Sequence, residues 1–466
     1  MSRLPASGYS LVLMNPFVLA LGIYLLVILA VGVAGVLRVR TPADFWIAGG
    51  RASALATGGS LAATILGGSS TLGLAGLAFS RGLTGSWWLL VGPVGLFALL
   101  FFLKTLKSRT VYTLPELIGG WYGPVMARVS GLFVVVAWLG IVGAQATAAG
   151  RILSTFFGGQ TRCWTLAVGA VFVAYTLSGG QVSVIRTDLI QALLISVGLG
   201  LCAVVGLRLT GGFAGLSEQL PARFFAFPLS QDFSGLDLTL LLLVVGSTYL
   251  VGPDMLSRVF SARNERSART AILLAICMII AVAVFVTAAG MAARSLYPDI
   301  PAEASLPMLA KNALPSWLSA LTMIALLSAF LSSADTTLLT MSAILTIDFL
   351  SKKESKSLAA PRLAVLGCGT AAVLVGIFSG GIIPSLLLGY SVFAGGLFVP
   401  ILAGLLGKPL RTSLAITAAI LGGLCALAGK LTGNDLLVAG SFTIGLTFLA
   451  CDRAAVALKR RRSRGG

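Results

Sequence analysis

Apolar residues along this chain gather into runs of about 20 or more, separated by short polar or Gly/Pro-rich turns. The runs fall at 16–38, 55–80, 83–103, 126–155, 163–180, 187–207, 236–254, 268–292, 314–350, 359–381, 383–406, 411–430 and 434–452. Each is long enough to cross a hydrocarbon layer about 30 Å thick, so the pattern predicts an all-α polytopic membrane protein with about 13 transmembrane helices. The first run exceeds the h-region of a signal peptide and no small-residue cleavage site follows it, so it is expected to be retained. No loop exceeds about thirty residues, which is too short for an independent catalytic or sensor domain. Function has to be built between helices.

Composition supports the same class: 57% of residues are hydrophobic and 10% charged, more apolar surface than a soluble core can bury. Assigning alternate loops to opposite sides puts about 24 Lys and Arg on one side and about 9 on the other. The richer side holds "KTLKSR", "SRVFSARNERSAR", "SKKESK" and the tail "KRRRSR". The positive-inside rule then places the C-terminus in the cytoplasm and the N-terminus outside, in a multi-pass protein of the cell membrane. The net charge of +18 follows from this topology, and scattered basic residues argue against a nucleic-acid partner. Cys163, Cys202, Cys277, Cys368, Cys425 and Cys451 are dispersed without C-x-x-C spacing and read as small hydrophobes. The chain has no histidine, which removes serine–histidine hydrolases, histidine metal sites and histidine proton relays.

Two runs carry internal breakers. In "SLAATILGGSSTLGLAG", Ser60 to Gly76, the pair Gly67 and Gly68 is followed by Ser69, Ser70 and Thr71. Glycine weakens a helix there and short hydroxyl side chains compete for its backbone hydrogen bonds. In "YLVGPDMLSRVF", Tyr249 to Phe260, Pro253 lacks an N–H and Gly252 stands beside it. The two segments open successive groups of five helices, 55–207 and 236–406, which have opposite orientation because five is odd. An inverted five-plus-five repeat follows, flanked by 1–54 (an extra helix and a cytoplasmic loop), 208–235 (an extracellular loop) and 407–466 (two helices and a basic tail). Transporters of inverted-repeat design bind ions and solutes at such breaks. Close packing through small residues is the competing reading of each segment taken alone.

The run from 314 to 350 carries a polar stripe. Ala329, Ser332, Ser333 and Thr336 share one face at helical spacing, and Asp335 lies one turn from Ser332. Hydroxyl and carboxylate oxygens suit a hard cation. An ionised Asp335 at mid-membrane must face the bundle interior and be paired or protonated. Thr337 and Thr340 read as hydroxyls bonded back to their own helix. A second acid, Asp188, sits in "YTLSGGQVSVIRTDLIQALL", where capping of the sixth helix competes with sharing a cation or a proton with Asp335.

Four pieces in this order, "SLAATILGGSSTLG", "YTLSGGQVSVIRTDLIQ", "GPDMLSRVFSARNERSA" and "ALLSAFLSSADTTLL", resemble the sodium:solute symporter family, which has the LeuT-type fold. The resemblance spans nearly the whole chain and implies sodium-coupled symport of a small organic solute. It implies a sodium site made by carbonyls of Ala63, Leu66 and Ala329 and hydroxyls of Ser332 and Ser333. A second cation site, found in some members, would fall on Ser332, Asp335, Thr336 and Asp188. Here an acid stands at 335 in place of a hydroxyl, and Gln181 replaces an apolar residue, so a second Na⁺, a proton and a structural carboxylate pair all stay open. The implied solute site lies near Ser69, Ser70, Gln145, Tyr249, Pro253 and Asp254. Exposed N–H groups at a half-helix N-terminus favour an anionic group, hence an amino acid or small organic acid.

Solute and bilayer are the expected partners, the oligomeric state is not legible, and no chemistry on the solute is required. An intramembrane aspartyl protease also needs two acids on neighbouring helices, but "RTDL" and "SADT" lack the Y-D and G-x-G-D settings. Proton coupling through Asp335 is the closer competitor.

Overall fold

Backbone N–H and C=O groups find no water inside a bilayer, so every crossing segment has to bond to itself. The computed structural model describes residues 16–36, 39–350, 357–378 and 382–462. The "SKKESK" loop, the ends of the 16–38 and 359–381 runs and the last residues of the tail lie outside the described residues. Among those described there is no strand, only the isolated bridges Ala52 with Ala262 and Ser230 with Phe233. Ten helical stretches among the described residues are long and apolar enough to cross a membrane, and the apolar helices Pro16–Gly32, Ala54–Ile65 and Thr161–Leu177 are shorter.

The helices that position the site are α1 (Pro16–Val36), α2 (Ala54–Ile65), α3 (Leu74–Arg81), α4 (Trp87–Leu99), α5 (Pro124–Phe157) and α6 (Thr161–Leu209). They are followed by α7 (Ser247–Val251), α8 (Pro253–Ser261), α9 (Glu265–Leu296), α10 (Ser316–Ile344), α11 (Ala359–Phe378) and α12 (Ile382–Leu405). Two more, α13 (Thr412–Thr432) and α14 (Asp435–Arg462), close the chain. Helix α10 runs through the middle: its apolar window is 89% buried, whereas that of α14 is 28% buried. It packs on α6, α5, α1 and α2. A helix surrounded by protein on all sides can carry polar groups all round without meeting lipid, which is what α10 does.

Both expected breaks are present. Helix α2 stops at Ile65, and a wide π-helical turn at Ser69–Gly73 leads into α3. Helix α7 ends where Gly252 swings to an extended conformation (φ −63°, ψ 140°), and Pro253 opens α8 at its first position. Proline suits that position because its missing N–H would have had no intrahelical partner.

Two boundaries differ from the sequence reading. The expected link at 181–186 is helical: within Thr161–Leu209 two helices meet at a kink at Gly180 (φ 53°, ψ −156°), and the second begins there with no loop between them. A Cβ at Gly180 would come 2.8 Å from the Phe45 carbonyl, so the bend needs glycine twice over. Asp188 therefore lies inside a helix, beyond the bend, and caps nothing. The run taken to end at residue 254 continues as α8 to Ser261, so Arg258, counted with a basic loop, lies inside the protein with no exposure.

Helices α5 and α11 cross backbone to backbone. A Cβ at Gly376 would lie 2.4 Å from the Gly143 carbonyl oxygen, and Thr147 Oγ1 donates to the Gly376 carbonyl at 2.9 Å. Gly376→Val is expected to cost about 1–3 kcal/mol by overpacking and to lower the melting temperature in detergent. Gly367→Ala, on the same helix with nothing within 4 Å of its Cβ position, is expected to leave it unchanged.

Candidate functional site

Ending α2 at Ile65, inside the helix bundle, leaves the carbonyls of its last turn without helical partners. The hydroxyls of α10 supply them. Ser332 Oγ lies 2.9 Å from the Ala63 carbonyl oxygen and 3.1 Å from that of Ala329. Ser333 Oγ lies 2.8 Å from the Thr64 carbonyl oxygen and 3.4 Å from that of Ala63. Ser70 Oγ turns back to the Ile65 carbonyl at 2.5 Å, and Gln145 Oε1 on α5 accepts from the Gly68 N–H at 2.6 Å. Glycine at 67 and 68 is required by this approach, since a Cβ at Gly67 would stand 2.6 Å from Ser333 Oγ and one at Gly68 2.9 Å from Ala148 Cβ. Ala63, Ala329, Ser332 and Ser333 thus converge. Leu66, the residue after α2, is buried beside them with its backbone already out of helical conformation (φ −79°, ψ 54°).

One turn toward the start of α2 a second polar group is buried between α2, α6, α8 and α10. Thr64 Oγ1 lies 3.2 Å from Thr336 Oγ1, and the Arg258 guanidinium donates to Thr336 Oγ1. Arg258 Nη2 pairs with Asp188 Oδ2 at 3.2 Å, and Ser60 Oγ donates to the same oxygen at 2.5 Å. Both charged side chains have no solvent exposure. Asp188 Oδ1 and Arg258 Nε and Nη1 have no protein partner among the described residues. Asp335 faces elsewhere, its Oδ1 accepting from Thr176 Oγ1 of α6 at 2.7 Å. So of the four residues grouped by sequence, Asp188 and Thr336 meet through Arg258, Asp335 turns to Thr176, and Ser332 turns to Ala63.

The remaining residues singled out from sequence surround the two breaks. Ser69 and Ser70 lie in the wide turn after α2, both buried. Tyr249 on α7 is buried against α4, where Gly92 and Gly95 leave room for its ring, and its hydroxyl lies beside Ser70 and Tyr390. Pro253 and Asp254 form the first turn of α8, and Asp254 Oδ1 is buried with no partner among the described residues.

Sequence reasoning missed Arg258, Ser60, Thr64 and Thr176. Ser60 and Thr64 carry a usable signal, i, i+4 spacing on one face just before the glycine pair. Arg258 carries one as well, an isolated charge flanked by Met255, Leu256, Val259 and Phe260.

Removing one member of a buried ion pair leaves the other uncompensated, at a cost of about 3–5 kcal/mol. Arg258→Met is therefore expected to be strongly destabilising in chemical unfolding of the purified protein. Asp188→Asn combined with Arg258→Met is expected to cost much less than the sum of the two single changes. Additive losses would mean that the two side chains do not act as a pair.

Comparison with known proteins gives the context for this arrangement. The model of the sodium:solute symporter family matches residues 45–422. A Na⁺-coupled sialic acid symporter in a substrate-bound outward-open state superposes with a TM-score of 0.83 at 18% identity, covering 94% of this chain and 96% of that one. A nucleobase-cation-symport-1 family transporter in a closed conformation with bromovinylhydantoin bound gives 0.60 at 14% identity, over 90% and 95% of the two chains. MhsT in complex with L-phenylalanine gives 0.58 at 16% identity, over 85% and 99%. These likenesses establish the LeuT-type fold, and the family match over most of the sequence establishes that this chain, a multi-pass membrane transporter, belongs to the sodium:solute symporter family.

Proposed function

We propose that the chain imports a small organic solute, an amino acid in preference to a simple carboxylate, using one Na⁺ held between α2 and α10. The observation that carries this reading is the meeting of Ala63, Thr64 and Ala329 carbonyls with Ser332 and Ser333 hydroxyls. These oxygens are hard ligands on two helices, one broken and one intact, so a cation shared among them ties the two together. Leu66, at the open end of α2, supplies the remaining carbonyl in this proposal. Holding the broken helix against α10 favours the outward-facing arrangement. Release of Na⁺ on the other side then frees α2 to move, which is alternating access. With the N-terminus outside and the C-terminus in the cytoplasm of a plasma-membrane protein, the potential adds about 2.3 kcal/mol per charge per 100 mV to inward movement. The moving unit comprises the two repeats, 55–207 and 236–406.

The solute sits between the breaks, among Ser69, Ser70, Gln145, Tyr249, Pro253 and Asp254. The N-terminus of α8 offers N–H groups and a favourable dipole for a carboxylate. The unpartnered Oδ1 of Asp254 calls for a donor, which an ammonium group supplies. That combination is the basis for preferring an amino acid.

A second reading has one observation in its favour. Asp188 already has a cation, Arg258, whereas Asp335 is fully buried and accepts from a neutral hydroxyl. A proton or a second Na⁺ at Asp335, grouped with Asp188, Thr336 and Ser332, would settle its charge.

In proteoliposomes an imposed Na⁺ gradient is expected to drive uptake and a pH gradient alone is not. Ser333→Ala is expected to raise the Na⁺ concentration for half-maximal uptake about tenfold, the loss of roughly 1.4 kcal/mol. Asp335→Asn is expected to leave Na⁺-driven uptake in place. Uptake indifferent to Na⁺, driven by a pH gradient and lost in Asp335→Asn, would transfer the coupling role to Asp335.

A further inference from the structure

At the polar cluster between α2, α6, α8 and α10, a single nitrogen serves two helices. Arg258 Nη2 donates both to Asp188 Oδ2 of α6, at 3.2 Å, and to Thr336 Oγ1 of α10. Ser60 Oγ of α2 donates to the same carboxylate oxygen at 2.5 Å, and Thr64 Oγ1 stands 3.2 Å from Thr336 Oγ1. Carboxylate and hydroxyl oxygens from α2, α6 and α10 are thus joined in one hydrogen-bonded group, and the charge that balances the carboxylate comes from α8. Ser60, Asp188, Arg258 and Thr336 have no solvent exposure.

Such oxygens are the donor set of a hard cation, and an acid inside the bilayer stays ionised only beside a positive charge. Here that charge is built into the chain. Arg258 stands in the last turn of α8 among Met255, Leu256, Val259 and Phe260, all buried, so its stem has no route to water. A guanidinium keeps its proton inside proteins, so the charge is permanent. A metal ion bridging Asp188 Oδ2 and Thr336 Oγ1 would need the place of Nη2, and next to the guanidinium it would meet a like charge where water does not screen it. Asp335 accepts from Thr176 and Ser332 donates to the Ala63 carbonyl, so the four residues grouped by sequence do not assemble round one ion.

We infer that Arg258 is the resident cation of this cluster: a guanidinium tethered to α8 fills the place of a second metal ion, and removing it uncovers a Na⁺ site on Asp188, Ser60 and Thr336. The tethered charge joins the four helices as a bound ion would, but it is never released. It stays with the protein through the cycle, so one Na⁺ crosses with each solute instead of two. That last consequence rests on the transport reading above; the identity of the resident cation does not.

The test uses the purified full chain in a non-ionic detergent, with melting temperature read in sodium chloride and in choline chloride at equal ionic strength. Arg258→Met is expected to melt well below the wild type in choline and to recover part of that loss in sodium, so that its Na⁺-dependent rise exceeds the wild type's by several degrees. The excess should persist when Ser333→Ala is added, because it arises outside the site between α2 and α10, and vanish when Asp188→Asn is added. An Arg258→Met protein whose Na⁺ response equals the wild type's, or an excess that survives Asp188→Asn, would overturn the inference. Saturation binding of radioactive sodium covers the case in which Arg258→Met does not fold: the wild type and Asp188→Asn are expected to bind the same number of ions, and an ion lost in Asp188→Asn would overturn it. A wild type that binds no Na⁺ contradicts the transport reading, while an Arg258→Met protein that then gains a Na⁺ response still supports this one.

Discussion

A helix that stops inside a bilayer exposes carbonyl oxygens that neither water nor lipid can satisfy, and the rest of this structure is arranged around the place where α2 does so. The hydroxyls of Ser332 and Ser333 meet the carbonyls of Ala63 and Thr64, and Gln145 meets the first N–H beyond the break. That meeting requires α10 to run buried at the centre, because a helix presenting Ser332, Ser333, Asp335 and Thr336 within little more than one turn is costly against lipid. It also requires glycine at 67 and 68, where any side chain would displace Ser333 or Ala148. The same oxygens that satisfy one another are of the kind a hard cation takes as ligands, and the proposed sodium site rests on that coincidence.

Charge is managed one turn away by a different device. Arg258 and Asp188 are buried as a pair, with Ser60 and Thr336 taking further hydrogen bonds, and they join α8, α6, α2 and α10 at a single point. Among the described residues the pair leaves three polar atoms without protein partners, so it is a junction still open to a further polar group rather than a closed structural bridge. Asp335 stands apart on Thr176, and the contrast between the two acids is what separates a single-cation account from one with a second cation or a proton.

Much of this was legible in the sequence, because lipid imposes a simple rule on length and hydropathy. The apolar runs, the two breaks at Gly67–Gly68 and Gly252–Pro253, and the A-x-x-S-S spacing of Ala329, Ser332 and Ser333 all follow from local patterns. What was not legible depended on partners far away in the chain. Arg258 looks like the start of a basic loop until Asp188 is placed against it, and only then can α8 carry it inward. The link at 181–186 looks like a loop, yet helix resumes directly after the kink at Gly180, and Asp188 moves from a cap to the interior. Thr176 and Asp335 each look unremarkable or anomalous alone, and their bond comes from the packing of α6 on α10.

The central claim is that the coupling ion sits between α2 and α10, and locating a heavy alkali-metal mimic tests it most directly. A crystal structure of the protein with thallium(I) in place of sodium should show an anomalous peak bounded by the carbonyls of Ala63, Leu66 and Ala329 and the hydroxyls of Ser332 and Ser333. A peak found only beside Asp335 and Asp188, with none between α2 and α10, would contradict the account.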